Sequence, residues 1–194
     1  MLLEFTKLFA FMGKTMSSAF SDITTKAEYI SRNGKLHTDV STLNEILEKE
    51  QKIGIHTLNG NNNKKQGHGK VSEWANYISS SRTLLRNLWF LDFVEGIILN
   101  LVEDPKKSLR NCAGEAYDKS LGPHHPWIVR TGAKAGLMTV PNREKFVLKV
   151  AAEQEGALST AELLEKIAVI PKLIKPLKDY FWDYYRENKL DTLP

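Results

Sequence analysis

An imidazole and an indole stand side by side in Ala116–Arg130, AYDKSLGPHHPWIVR, where Gly122-Pro123 ends one helical pattern and His125, Pro126 and Trp127 begin another. Proline suits a first helical position, because its φ is already set and its missing N–H is not needed there. A helix start carries unpaired backbone N–H groups and partial positive charge, so it can receive a polar or anionic group. Two further pairs, Asp22 with Lys26 in SDITTK and Arg82 with Arg86 in SRTLLRNLWFLDFVEG, share one helix face through their i, i+4 spacing. Each feature also has an ordinary reading: a structural corner, a surface ion pair worth roughly 0.3 kcal/mol, or a solvated basic face. Enzyme signatures are scarce, with no Gly-rich phosphate loop, paired-cysteine metal site, nucleophile elbow or His-Glu-x-x-His. His124 and His125 are neighbours that point in different directions and suggest no third ligand, so neither a metal, a cofactor nor a catalytic residue is expected.

The elements that must position these residues read as helices throughout. Phe5, Leu8, Phe9, Met12, Met16, Phe20, Ile23, Ala27 and Ile30 recur at three- and four-residue steps, which predicts a helix carrying Asp22 and Lys26 and stopped by Asn33-Gly34. A second helix is expected from about Thr38, with Val40, Leu43, Ile46 and Leu47 on its apolar side, ending before Gly54. Residues 54–70 are rich in Asn and Gly without an apolar period, which predicts a mobile surface loop. Ser72 to Val102 is apolar enough for one or two helices bearing Arg82 and Arg86. Asp104-Pro105 should open the next helix, with Leu109, Cys112, Ala116 and Leu121 facing the core. A helix over Ile128 to Val140, a restart at Pro141-Asn142, and a capping box at Ser159 and Glu162 follow. Pro171 and Pro176 should then break or kink the last helical region. No segment alternates as a strand does, so the expected class is all-α.

A chain of 194 residues with 42% hydrophobic content suits one domain over residues 1–194. The single cysteine, Cys112, excludes an internal disulfide and fits a reducing compartment. Glu4, Lys7 and Lys14 interrupt the apolar beginning, so neither a signal peptide nor a membrane span is expected, and the chain reads as cytoplasmic. The net charge of +4 and pI near 9.0 point to an anionic partner, either nucleic acid or an anionic membrane face. The aromatics follow helical core spacing and do not interleave with a basic stripe, which weighs against nucleic acid.

The Asp-x-x-x-Lys pair, the Arg pair and the His-Pro-Trp corner, in this order along an all-helical chain, resemble the glycolipid transfer protein superfamily, and within it the ceramide-1-phosphate branch. TVPNREKF and NKLDTLP extend the likeness toward the end. The resemblance implies a two-layer all-helical sandwich enclosing sphingolipid chains, here with the first family helix lacking, and a carrier that is not an enzyme. It implies that Asp22 holds the ceramide amide N–H and His125 the amide carbonyl. Lys26, Arg82 and Arg86 stand where phosphate-binding members carry cations, whereas glycolipid binders carry Asn and a Trp sugar platform. Trp89 is the competing candidate for such a platform. Trp127 matches a membrane-docking Trp, an indole being suited to the headgroup level, and Arg130 and Lys134 could meet lipid phosphates beside it. The implied activity is transfer of a phosphorylated sphingolipid, ceramide-1-phosphate foremost, with transient peripheral contact to membranes. Glycosphingolipid transfer and a non-transferring sphingolipid sensor are the alternatives, and a helical nucleic-acid-binding protein the remote one.

Overall fold

A computed structural model describes residues 14–36, 42–60, 74, 76–152 and 159–194. Their regular elements are all helical: α1 (Lys14–Leu36), α2 (Leu43–Lys52), α3 (Ser80–Glu103), α4 (Leu109–Lys119), a 3-10 turn (Gly122–His124), α5 (Trp127–Leu137), α6 (Arg143–Ala152), α7 (Thr160–Ile167) and α8 (Ile170–Glu187). Extended pairing among the described residues is confined to the isolated bridge between Asn59 and Ile78. The described residues divide into two compact units, the first of 14–24 with Trp89–Phe181 and the second of Thr25–Leu88 with Trp182–Pro194.

The core of the first unit is built on α3, whose Phe93, Val94, Ile97 and Leu101 are buried against Leu109, Cys112 and Ala116 of α4, with Val147 of α6 and Ile174 of α8 in the same cluster. Each of the Phe, Val, Ile and Leu side chains among them contributes about 1.5 to 3 kcal/mol on burial. Contact between α3 and α4 depends on Gly96, where an added Cβ would lie 3.0 Å from the Ala116 Cβ. Lys178 of α8 is buried and reaches Asp92 at 2.8 Å and also Glu95, both on α3. Burial alone would depress its pKa, but these two carboxylates together raise it above the ordinary range.

Both ends of α3 are held by side chains from far along the sequence. In the second unit the fully buried Glu50 carboxylate accepts the Ser80 N–H at 2.5 Å, the Ser81 N–H at 2.9 Å, the Ser81 hydroxyl at 2.6 Å and the Tyr77 hydroxyl at 2.7 Å. The first N–H groups of a helix have no partner within it, and an anion suits that positive end. In the first unit Arg143 donates to the carbonyls of Leu101 at 2.6 Å, Asp104 at 3.0 Å and Lys107 at 3.3 Å, putting a cation at the opposite end.

Several boundaries differ from the sequence expectation, each for a local physical reason. Helix α1 continues through Asn33-Gly34 to Leu36, because Asn33 is buried and donates to the Ile78 carbonyl at 2.8 Å and the Ser80 hydroxyl at 3.0 Å. Thr42 caps α2 through a capping box with Glu45, four residues after the expected start; Thr38 and Val40 lie outside the described residues. Ile55 and Leu58 are buried with Tyr77 and packed by Trp74, so residues 54–60 are part of the folded unit and not surface loop; 61–70 lie outside the described residues. Of the expected stretch 72–102, the described residues from Ser80 on form one long helix, α3, and Asp104-Pro105 forms a turn before the Ser108 cap of α4. Helix α8 runs unbroken through Pro176; Lys172, whose carbonyl loses a donor to the proline, is exposed and can be served by water. The capping box at Ser159 and Glu162 stands where expected.

Candidate functional site

The second unit gathers three cations. Lys26 is half-buried on α1, Arg82 occupies the first turn of α3, and Arg86 lies one turn further on, where its Nη1 donates to the Arg82 carbonyl at 2.9 Å. Burial and then the neighbouring Arg86 pull the Lys26 pKa down to about 8. Burial and then repulsion by Arg82 lower Arg86 to about 10, and burial lowers Arg82. Arg86 is therefore near enough to repel both Lys26 and Arg82 in a partly desolvated place. Such a cluster favours an anion over any neutral group, and a dianion most.

Main-chain oxygen already meets part of that demand. The Pro194 oxygen accepts from Arg82 Nε at 2.5 Å and from Arg86 Nη2 at 2.6 Å. Tyr185, fully buried on α8, donates its hydroxyl to the Ser81 carbonyl at 2.7 Å. Neither Pro194 nor Tyr185 was singled out from the sequence.

The first unit holds the remaining candidates. Asp22 is exposed on α1, beside Ile23, which is buried in the main cluster. His125 is half-buried, and its Nδ1 lies 2.8 Å from the hydroxyl of Tyr117, itself buried on α4. Burial keeps Tyr117 a protonated phenol by raising its pKa. In the tautomer where this phenol donates to Nδ1, the ring carries its proton on Nε2, the form that can donate to a carbonyl. Tyr117, which the sequence reading did not single out, thus holds one edge of the His125 ring.

The imidazole of His124 lies flat on the indole of Trp89, with centroids 3.7 Å apart and planes within 3°. Trp89 is 8% exposed, so the ring considered as a sugar platform is buried and already stacked. Trp127 is 71% exposed and Ile128 65%, which leaves a bare apolar tip at the start of α5. Pro126 is the residue before the helix and Trp127 the first within it, one position later than expected. Arg130 is exposed, while Lys134 pairs with Asp118 at 2.8 Å.

A family model described as Glycolipid transfer protein (GLTP) matches residues 1–152. The chain belongs to this family. Ceramide-1-phosphate transfer protein of Danio rerio is 31% identical over 121 residues, 60% of this chain and 53% of that protein. Glycolipid transfer protein 2 of Arabidopsis thaliana is 26% identical over 167 residues, 86% of this chain and 66% of that protein. The chain thus matches between about half and two thirds of the length of these two curated relatives. Among solved structures, apo mouse ceramide-1-phosphate transfer protein superposes with a TM-score of 0.77 at 20% identity, covering 100% of this chain and 86% of that one. Human ceramide-1-phosphate transfer protein in complex with 12:0 ceramide-1-phosphate gives 0.78 at 18% identity, covering 98% and 85%. The fold is accordingly the all-α glycolipid transfer protein type. No helix among the described residues is long and apolar enough to cross a membrane.

Proposed function

We propose that this chain carries a phosphorylated sphingolipid between membranes, with ceramide-1-phosphate as the ligand. The observation that carries this reading is the grouping of three cations in one partly desolvated place, with Arg82 and Arg86 converging on one oxygen acceptor and Lys26 near enough to Arg86 for its pKa to be lowered. A phosphomonoester supplies up to two negative charges and three acceptor oxygens, and its hydrogen bonds to cations are roughly twice as strong as neutral ones. An uncharged sugar offers these cations no charge-assisted hydrogen bond. Asp22 and His125 take the amide N–H and carbonyl of the ceramide, as the family resemblance implies, with Tyr117 orienting the imidazole.

The need for a protein follows from hydrocarbon arithmetic. At about 0.8 kcal/mol per methylene, a two-chain lipid does not leave a bilayer for water at a useful rate unless its chains are covered. In the proposed cycle the exposed Trp127 docks on the membrane surface, the head group is captured by the cations and the amide clamp, and the chains are enclosed during transit. The protein acts from the cytoplasmic side as a peripheral, non-enzymatic carrier. Relatives named for glycolipid transfer favour a second reading, neutral glycosphingolipid transfer, against which the buried, His124-stacked Trp89 weighs.

The test is a vesicle-to-vesicle transfer assay. Ceramide-1-phosphate should move at least roughly tenfold faster than galactosylceramide or lactosylceramide, the difference that about 1.4 kcal/mol of preference gives. Faster transfer of the neutral lipids would sink the reading, and binding without transfer would make the protein a sensor.

Binding should depend on pH in a defined window. A phosphate bound beside Lys26 raises its pKa, so the ligand binds most tightly while Lys26 is already protonated, below about 8. Affinity should fall as pH rises above that value, and also below about 6, where the monoester takes up its second proton. Titration calorimetry of a water-dispersed short-chain ceramide-1-phosphate from pH 5 to 10 checks this, and a Lys26→Met variant should lose the upper limb. A flat profile in the wild type would remove Lys26 from the site.

Tyr117→Phe should slow transfer by roughly three- to tenfold with the melting temperature little changed, since one hydrogen bond of about 1 kcal/mol is lost. The imidazole nitrogen shifts of His125 in an NMR spectrum should report a changed tautomer balance. Unaltered shifts would mean that Tyr117 does not orient His125.

A further inference from the structure

The arginine pair is closed by the chain's own segment 188–194. Past α8, Lys189 takes a left-handed conformation with φ of 56° and turns the backbone, and the Leu190 N–H returns to the Tyr185 carbonyl at 2.8 Å. Leu190 is 1% exposed and Leu193 9%, while Thr192 and Pro194 are exposed. Two leucine anchors therefore pin a short strap whose Pro194 oxygen enters the arginine fork. That oxygen accepts from Arg82 Nε and Arg86 Nη2 at 2.5 and 2.6 Å, so it occupies donors that a phosphate oxygen would use. Arg82 Nε carries a single N–H, so Pro194 and a phosphate oxygen cannot both receive it in full.

We propose that residues 188–194 are an autoinhibitory strap, occupying the arginine pair in the unloaded protein and displaced by the ligand phosphate. The inference rests on the reading of Arg82 and Arg86 as phosphate ligands. The strap lowers apparent affinity by the fraction of molecules in which it is open, because the measured Kd equals the intrinsic one divided by that fraction. It also makes release easier, since the strap returns as the phosphate leaves. A phosphate-free ligand gains nothing by displacing it.

The test uses water-dispersed short-chain ceramide-1-phosphate, with the matching short-chain ceramide as the phosphate-free control. Two variants open the strap: Leu193→Gly loosens an anchor, and a chain ending at Thr192 removes that anchor together with the acceptor. Circular dichroism checks their folding, and the pair keeps one informative if the other misfolds. Both should bind the phosphate lipid roughly tenfold more tightly than wild type and the control equally well. In the wild type, amide exchange over residues 188–194 should speed up when ceramide-1-phosphate is added. Equal or weaker binding by the variants, or slower exchange on loading, overturns the strap. Arg86→Leu in the wild-type background separates the two levels. If it abolishes phosphate-lipid binding while the strap variants gain nothing, the strap alone falls; if it leaves binding intact, the phosphate reading falls and the strap with it.

Discussion

Replacing Arg82 or Arg86 with Leu lowers ceramide-1-phosphate transfer by about one to two orders of magnitude while adsorption to anionic vesicles stays close to wild type. The magnitude follows from the loss of charge-assisted hydrogen bonds worth about 1.5 to 3 kcal/mol each, or roughly ten- to a hundred-fold. Retained adsorption follows from burial, because Arg82 is 9% exposed and Arg86 half-buried, so neither offers its charge to a flat membrane. Trp127→Ala should behave oppositely. Its 71% exposed indole has no packing role to lose, so adsorption and transfer should fall together while short-chain ligand still binds. Vesicle co-sedimentation beside a short-chain binding assay distinguishes the two classes of variant. Arginine variants that lost adsorption in proportion to transfer would turn those side chains toward the membrane and remove the phosphate site.

What the sequence disclosed about this site depended on how local each interaction is. The i, i+4 spacing of Arg82 and Arg86 places them on one helix face whatever else the chain does, and their proximity to each other was readable. The Ser159–Glu162 capping box is closed by residues three apart and was readable for the same reason. Thr42 and Glu45 carry the same signature, but the apolar Val40 before them drew the expected helix start back to Thr38. Asn33-Gly34 reads as a stop until Asn33 is given its partners, which lie 45 and 47 residues away. The pairing of Tyr117 with His125 spans only eight residues, yet it depends on how the Gly122–His124 turn folds the chain back. Tyr185 and Pro194 reach the start of α3 across more than a hundred residues, and no periodicity encodes such a contact.

Glu50→Ala should be the most destabilising single truncation at this end of the molecule. It removes one buried carboxylate and strands four donors at once: the Tyr77 and Ser81 hydroxyls and the N–H groups of Ser80 and Ser81. Unsatisfied buried donors cost about 1 to 3 kcal/mol each and are not additive, so a loss of about 3 to 5 kcal/mol is expected. For a chain of this size that corresponds to a fall in melting temperature of roughly 10 °C. Glu50→Gln should lie between, since one amide oxygen still accepts while its NH2 group faces N–H donors. Glu45→Ala provides the contrast, removing an exposed capping-box partner for about 1 kcal/mol or less. The effect should reach the ligand as well. Arg82 is a cation in the first turn of α3, where the helix dipole opposes it, and the Glu50 anion at the same helix end offsets that cost. With the carboxylate gone, the first turn frays and Arg82 loses its fixed place, so phosphate-lipid affinity should drop even at temperatures where the variant is folded. Thermal melts with calorimetric binding at 15 °C measure both. A Glu50→Ala protein that melted within about 2 °C of wild type, a shift of under about 1 kcal/mol, would mean that α3 begins without the carboxylate's help.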